Sequence, residues 1–410
     1  MASAKEHKRP PFFLTPIPYL MVFLFITIAP VHLFSRFLMD VHLELWIALA
    51  VISSTFLEYF VFQSLTVSYD AKLLLFLCLL LMGAPLVSSL GNEQHFSVLL
   101  NWEYLSWAKM LFLGPFLFLS FSGKRRGLLI ETLLFSSAVL ALIFWYRYGI
   151  LHEVREYDLR PTLKMKNGDP NFICLLFVTP VPLVLYRISR ILDPVHPIKL
   201  FYYGGILGLL LSGAIASESR MGIISLVIGL IYLLFALPRS LRRIALFLFL
   251  AVGGVILFFG GITERFVHIQ DESNRMRIRT LINGFTLFST SPAVGHGWDT
   301  APNFFFESSG YPRLISETPP LAIHNTPLQI LAELGTYGFL AFLGLFCFVT
   351  KKVREGERPL MHYATAALLI VFLNLLTLPL ETKDFLLCLA FCLATLSSGL
   401  FPNRSQSLSA

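Results

Sequence analysis

The sequence predicts an all-α polytopic membrane protein with about twelve transmembrane helices. Of its 410 residues, 56% are hydrophobic and only 14% are charged, and the mean hydropathy is +0.71. Soluble domains are about 45–50% apolar and about 25% charged, so this composition excludes a soluble globular protein. Apolar segments of about 20 residues, the length that crosses about 30 Å of hydrocarbon, recur regularly along the chain. We therefore expect residues 1–410 to form a single integral membrane domain.

Twelve apolar segments are the candidate transmembrane helices. They are residues 14–34, 45–64, 72–90, 106–122, 128–147, 171–190, 200–216, 221–237, 242–261, 327–349, 362–380 and 384–401. The seventh and eighth of these segments are the shortest pair, and only residues 217–220 separate them. Two polar segments are much longer than the other connections and are predicted to be loops, at 148–170 and 262–326.

The basic residues predict that both chain termini lie on the inner side of the membrane. The tight connections at 123–127 and 239–243 are rich in Lys and Arg, and such residues concentrate in the short inner loops of membrane proteins. Both long loops then lie on the outer side. The net charge of +7 comes from dispersed short clusters, so a nucleic-acid partner is not indicated.

The sequence offers no recognisable metal or cofactor motif. All five cysteines lie inside apolar segments, without the spacing of a disulfide framework or a zinc site. The two outer loops contain no D-x-D carboxylate pair, no P-loop and no G-x-S-x-G sequence. We therefore expect an activity that uses neither a metal nor another cofactor.

The loop at 262–326 is predicted to contain a helix at 274–290 followed by an irregular segment rich in Gly, Pro and Ser. Five apolar residues recur at helical spacing and share one helix face. They are Ile278, Leu281, Ile282, Phe285 and Phe288. This face is expected to lie either on the membrane surface or on the helix bundle.

The start of the tenth predicted span combines a helix signal with residues that could carry chemistry. Thr326 is a suitable N-cap, Pro327 suits the first helical position, and Gln329 would complete a capping box. His324 and Asn325 then precede the positive end of a helix dipole, where anions are favoured. With an unperturbed pKa of about 6.5, a histidine here could act as a base. The alternative is a loop histidine that only hydrogen-bonds to the backbone.

Four arginines could bind an anionic group. Arg220 lies at the junction of two apolar spans, where an arginine is costly unless it is paired or functional; the alternatives are contact with lipid headgroups or an ion pair with Glu218. In the loop helix, Arg275 and Arg279 share one side and Arg277 projects from the other. Guanidinium groups bind phosphate bidentately, although these three could instead form a cationic rim that contacts lipid headgroups.

Three further polar residues have less specific interpretations. Asp169 or Asn171 is predicted to cap the sixth span. Glu333 lies nearly two turns inside the tenth span, where it could line a polar cavity or pair with a cation.

Four blocks between about residues 160 and 345 form a recognisable pattern by their order and spacing. They are Asp169-Pro-Asn171, Ser219-Arg220-Met-Gly222, Arg277-x17-Gly295-His-Gly297-Trp298 and His324-Asn325-x2-Leu328-x2-Leu331-x3-Gly335-x2-Gly338. Together they resemble the shared core of the bacterial O-antigen ligase and polymerase superfamily. The chain looks most like the ligases in its length, its basic pI and its single dominant outer loop. It departs from the family pattern at Leu281, where Trp is common, and at His296, which stands in Gly-His-Gly.

The resemblance implies a GT-C-type, metal-independent, inverting glycosyltransferase at the periplasmic face of the bacterial inner membrane. Its partners would be a polysaccharide donor on undecaprenyl diphosphate, a lipid A–core acceptor and membrane lipids. By the same resemblance His324 would be the general base, and Arg220 and Arg277 would hold the diphosphate. The other residues expected to contact the substrates are Arg265, Arg275, Arg279, His296 and Asn325.

Three alternative functions remain open at this point. A polymerase of the same superfamily would share nearly all of these residues. A protein O-oligosaccharyltransferase usually carries an additional C-terminal region, whereas only a short tail follows the twelfth predicted span. A two-halved secondary transporter would place its long loop near the middle of the chain and would show internal repeats, which this sequence does not.

Overall fold

The computed structural model describes residues 12–28, 43–61, 68–91, 102–121, 125–152, 170–192, 196–258, 272–301, 323–378 and 383–397. Every regular element in these ranges is helical. In chain order the α-helices are α1 (Ile17–Ile28), α2 (Leu43–Phe56), α3 (Tyr69–Gly91), α4 (Trp102–Ser120), α5 (Arg126–Trp145), α6 (Pro170–Val178), α7 (Val181–Ile191), α8 (Pro197–Ala216), α9 (Arg220–Ala236), α10 (Arg239–Phe258), α11 (Glu272–Thr290), α12 (Thr326–Arg354), α13 (Leu360–Leu375) and α14 (Lys383–Ser397). The predicted all-α class is therefore confirmed for the described ranges.

Within the described residues, each of the twelve predicted spans overlaps one helix or two consecutive helices. Within the described ranges, five helical segments are long and apolar enough to cross a membrane. They are Tyr69–Gly91, Arg126–Ile150, Pro170–Ile191, Pro197–Ala216 and Thr326–Arg354. Four further apolar helices in α2, α4, α9 and α13 are shorter, so the total of twelve crossings stays a prediction.

Polar contacts at one end of the bundle join residues of the predicted inner connections or of the adjoining ends of predicted spans. The most enclosed of these groups is the ammonium of Lys352, whose side chain is 7% exposed. The contacts are Lys352 with Asp70 at 2.7 Å, Arg126 with Glu357 at 3.0 Å, and Arg187 with Glu131 at 2.8 Å. Segments predicted to share a side of the membrane thus meet in the structure.

Contacts at the opposite end involve the outer ends of predicted spans and the long outer loop. The Ser88 hydroxyl on α3 donates to the Glu333 carbonyl on α12 at 2.8 Å. Gly91, the last residue of α3, approaches Val294 so closely that a Cβ there would lie 2.9 Å from a Val294 methyl. This end of the bundle carries all of the described candidate site residues.

The helix predicted in the long outer loop is confirmed as α11, but its apolar stripe is divided between two environments. Leu281 packs against the protein, in a small apolar cluster with Leu287. Ile278, Ile282 and Phe285 are 58%, 61% and 63% exposed. One part of the stripe therefore faces the bundle, and the exposed part leaves the membrane-surface location as a prediction.

Both capping predictions for α12 are wrong. The N-cap of α12 is Asn325, whose side-chain oxygen accepts from the backbone N–H of Leu328 at 2.9 Å, rather than Thr326. Gln329 forms no capping box and instead donates to the Glu333 carboxylate at 3.0 Å. Asn171 lies within the first turn of α6 and accepts a hydrogen bond from another helix, whereas Asp169 lies outside the described residues.

Candidate functional site

Arg220 is the first residue of α9, at the outer end of the bundle. Ser219 is the N-cap, with extended backbone (φ −82°, ψ 106°), and its hydroxyl accepts from the Gly222 N–H at 3.2 Å. Glu218 adopts a positive φ of 52° in the turn from α8. A cation at the positive end of a helix dipole is unfavourable, so this position suits an arginine that faces an anion.

Two of the sequence blocks meet directly beside Arg220. The Ser219 hydroxyl donates to the Asn171 side-chain oxygen on α6 at 2.9 Å. The two helices are in close contact there, because a Cβ at Gly222 would lie 2.3 Å from the Cys174 sulfur. Asn171 therefore holds the start of α9 in place, which is a different role from the predicted helix cap.

His324 is partly buried and lies one residue before the N-cap of α12. The two residues that follow His324 form hydrogen bonds to the segment that directly follows α13. The Asn325 amide nitrogen donates to the Leu376 carbonyl at 3.2 Å, and the buried Thr326 hydroxyl donates to the Leu378 carbonyl at 2.8 Å. The backbone around His324 is thus held by side chains on its C-terminal side.

Helix α13 links the His324 segment to the helix that begins with Arg220. Asn374, in the last turn of α13, donates to the Ser225 hydroxyl on α9 at 2.8 Å. Ser225 follows Arg220 by five residues, an axial distance of about 7.5 Å. His324 and Arg220 are therefore brought to the same end of the bundle through one intervening helix.

Helix α11 packs on the segment that contains His324. Leu281 and Leu287 contact a cluster that includes Ile323 and Leu328. A Cβ at Gly284 would lie 3.0 Å from both Ile323 and Leu328 side chains, so α11 rests directly on the residue that precedes His324. This contact places the helix that carries the loop arginines beside the candidate base.

The two arginines of α11 whose side chains the structure describes differ in exposure. Arg277 is partly buried and Arg279 is exposed. Arg275 lies within α11, but its side chain is outside the described part of the structure, as is the whole of Arg265. Of the two loop arginines whose side chains the structure describes, Arg277 is therefore the one that is partly buried on the helix packed against the His324 segment.

The Gly-His-Gly segment forms a backbone clasp with α12. The N–H groups of His296 and Gly297 donate to the carbonyls of Ala332 and Glu333 at 3.0 and 2.9 Å, and the Thr336 N–H donates to the Pro292 carbonyl at 2.8 Å. The carbonyls of Ala332 and Glu333 and the N–H of Thr336 can form these bonds because α12 is interrupted at Gly335 (φ 64°, ψ −166°).

Two glycines make this close approach of backbones possible. Gly295 and Gly335 both have positive φ, at 72° and 64°, which favours glycine. A Cβ at Gly295 would lie 2.3 Å from the Glu333 backbone, and a Cβ at Gly335 would lie 2.5 Å from the Ala293 carbonyl oxygen. Any side chain at either position would force the clasp apart.

The imidazole of His296 is held by the end of α11. Its Nε2 lies 2.9 Å from the Leu287 carbonyl and 2.7 Å from the Thr290 hydroxyl. A carbonyl only accepts, so the contact with Leu287 requires a proton on Nε2. The ring nitrogen Nε2 therefore ties the loop to the end of α11.

Glu333 fixes the same loop from the α12 side. Its carboxylate, 1% exposed, accepts from the Gln329 side chain at 3.0 Å and from the Asp299 N–H at 3.2 Å. Next to Asp299, Trp298 packs on Trp107 of α4 with ring centroids 4.8 Å apart. Glu333 therefore positions the loop through its bond to the Asp299 N–H, a contact that sequence spacing could not reveal.

A comparison with known protein families covers three of the four sequence blocks. Residues 205–343 match the family described as O-Antigen ligase, and this range contains Arg220, Arg277, His296 and His324. No curated protein matches the chain. The resemblance to the O-antigen ligase and polymerase superfamily is therefore confirmed over residues 205–343.

Proposed function

We propose that the protein is an O-antigen ligase, an inverting and metal-independent glycosyltransferase of GT-C type. It would move O-antigen polysaccharide from undecaprenyl diphosphate to a sugar hydroxyl of lipid A–core. The observation that carries the proposal is the combination of the family match over 205–343 with the linkage of the Arg220 and His324 segments through α13.

The proposed base is His324. In its neutral form the imidazole removes the proton of the acceptor hydroxyl as the hydroxyl oxygen bonds to the anomeric carbon, a role that typically accelerates a reaction by about 10²–10⁴-fold. Its partial burial keeps the ring at the boundary between the bundle and the outer side. The hydrogen bonds of Asn325 and Thr326 restrain the backbone that carries it, which suits a group that must be aimed.

The proposed anion-binding residues are Arg220 and Arg277. As the bond between the anomeric carbon and the diphosphate oxygen breaks, the electron pair goes to undecaprenyl diphosphate, and its charge must be stabilised. Two guanidinium groups supply the positive charge that a metal supplies elsewhere. Arg220 would act together with the start of α9, whose backbone N–H groups also favour an anion.

The stereochemistry follows from a single displacement. If the acceptor oxygen attacks from the side opposite the diphosphate, the anomeric configuration inverts. No residue is required to form a covalent intermediate with the sugar. The remaining residues expected to contact substrate, Arg265, Arg275, Arg279, Asn325 and His296, would orient donor and acceptor.

The proposal assigns the site to the periplasmic face of the bacterial inner membrane. Both lipid-linked substrates can reach a site at the outer end of the bundle by lateral diffusion. The supporting observation is that all described candidate residues lie at the bundle end opposite the Lys352 and Asp70 ion pair, whose segments carry the inner-loop basic residues.

Deletion of the gene followed by electrophoresis of lipopolysaccharide tests the proposal in the cell. A ligase predicts loss of the long O-antigen ladder together with accumulation of lipid-linked polymer. A single repeat unit attached to the core would instead identify a polymerase and contradict the proposed acceptor.

A further inference from the structure

Helix α11 has two apolar faces on opposite sides. The bundle-facing side includes Gly284 and Leu287, both buried. At 100° per residue, Ile278, Ile282 and Phe285 point in nearly the opposite direction, and each is more than half exposed. A helix that lay between the bundle and water would be expected to be polar on this second face.

The charges of α11 are distributed around this exposed stripe, which is defined as Ile278, Ile282 and Phe285. Arg277 and Arg279 precede and follow Ile278, so in a regular helix they project about 100° to either side of it. Long cationic side chains beside an apolar stripe can reach lipid phosphates while the stripe enters the acyl region. The pattern is that of a helix lying in a membrane interface.

The position of α11 along the bundle agrees with this orientation. Helix α12 is interrupted at Gly335, and the 19 residues from Thr336 to Arg354 span about 28 Å at about 1.5 Å per residue, close to the thickness of about 30 Å of hydrocarbon. The first turns of α12, which precede the interruption, therefore lie at the outer headgroup layer. Helix α11 packs on Ile323, Leu328 and Ala332, which belong to the first turns of α12 or immediately precede them.

We infer that α11 lies in the outer membrane–water interface, with its exposed stripe inserted among phospholipid acyl chains and Arg279 at the phosphate level. The partner of this surface is the phospholipid bilayer itself. The helix is then held from both sides, by the bundle through Leu287 and by lipid through Ile282. This inference does not depend on the reaction that the protein catalyses.

One consequence rests on the proposed function. A helix at this depth places Arg277 at the level of lipid phosphates, where the diphosphate of a lipid-linked donor also lies. Arg277 would then meet the donor without any large movement of the loop. Electrostatic attraction between α11 and an anionic membrane surface would also keep the arginine at that level.

Photocrosslinking of adjacent residues tests the inference in the full chain. Benzoylphenylalanine is introduced at Phe285, on the stripe, or at Thr286, which is also exposed but projects about 100° away. The purified variants are reconstituted in vesicles of three parts phosphatidylethanolamine to one part phosphatidylglycerol, without donor or acceptor. Irradiation is followed by mass spectrometry of lipid adducts. We expect at least fivefold more phospholipid adduct at position 285 than at position 286.

The inference is overturned if the two positions give equal lipid adducts or if position 285 reacts only with the protein. It is also overturned if position 285 reacts with lipid only after a polyprenyl diphosphate is added, because the stripe would then bind the donor chain. Position 282 serves as a second stripe site should the variant at 285 lose its thermal stability. Transfer activity is not measured, so failure here is distinct from failure of the proposed function.

Discussion

The side-chain amide of Asn374 donates to the hydroxyl of Ser225 at 2.8 Å, and both residues are completely buried between α13 and α9. Asn374 also donates to the Ile370 carbonyl one turn earlier, at 2.8 Å. This polar pair fixes α13 against the helix that starts with Arg220. Leu376 and Leu378, which follow α13, accept the hydrogen bonds from Asn325 and Thr326.

Replacing Asn374 by Leu should therefore lower transfer activity more than it lowers stability. A hydrogen bond between membrane helices contributes about 0.6–2 kcal/mol, and Ser225 keeps its bond to the Gly222 carbonyl. We expect only this modest loss in unfolding free energy but at least a tenfold loss of turnover, because the alignment of Arg220 with His324 changes.

A double-mutant cycle provides the control for this prediction. Ser225→Ala removes the acceptor, so the Asn374→Leu/Ser225→Ala double variant should be no slower than Asn374→Leu alone. Additive losses of turnover, or a loss fully explained by reduced folded protein, would show that the pair does not align the site.

Periodicity and composition predicted the helices, because an apolar segment of about 20 residues has few alternatives in a membrane. The loop helix α11 was predicted for a similar reason, from its apolar repeat. The orientation of that helix could not be predicted, since Leu281 and Ile282 belong to one stripe in sequence but separate into bundle-facing and exposed positions. Helical spacing defines a stripe, and tertiary packing decides which edge of it is covered.

Candidate site residues were easier to identify from the sequence than the residues that hold them in position. His324 and Arg220 stand out because charged or titratable groups are rare beside apolar spans. Asn374 and Glu333 act through partners that are distant in sequence, such as Ser225 and the Asp299 N–H, and no local pattern reveals such pairs. Asn325 and Thr326 are adjacent, and both residue types cap helices well. The sequence therefore could not show that Asn325, and not Thr326, is the N-cap of α12.

Substitution of His324 by Ala should abolish transfer without unfolding the protein. His324 is only partly buried, so little packing is lost, whereas loss of a general base typically costs about 10²–10⁴-fold in rate. The variant is compared with wild type by transfer rate and by thermal unfolding. Near-normal transfer by well-folded His324→Ala would end its assignment as the base and direct attention to His296.

The arginines should separate into two groups. Arg220→Ala and Arg277→Ala should be nearly inactive, whereas the Lys variants, which keep the charge but lose the planar fork, should be partly active. Turnover should fall more than donor binding, because charge develops on the leaving group. Arg275→Ala and Arg279→Ala should be milder, and equally small effects at all four positions would indicate a headgroup-binding rim.

Gly295→Ala and Gly335→Ala should each destabilise the protein, because a Cβ at either site would collide with the opposing backbone. Positive φ adds about 1–3 kcal/mol of strain for a residue other than glycine. The matched control is Gly208→Ala in α8, where a new Cβ has no atom within 4 Å and helix propensity favours Ala by about 0.5–1 kcal/mol. Thermal unfolding in detergent compares the three variants, and equal stability would show that the clasp is not required.

Reconstituted transfer with purified components tests directly whether the protein moves O-antigen to lipid A–core without a metal. Wild-type protein in vesicles is mixed with undecaprenyl-diphosphate-linked O-antigen and lipid A–core, with EDTA in the buffer. We expect lipid A–core that carries O-antigen with an inverted anomeric linkage, together with one released undecaprenyl diphosphate for each transfer. Growth of polymer on the donor lipid with unmodified lipid A–core, or a strict requirement for Mg²⁺ or Mn²⁺, would contradict this expectation.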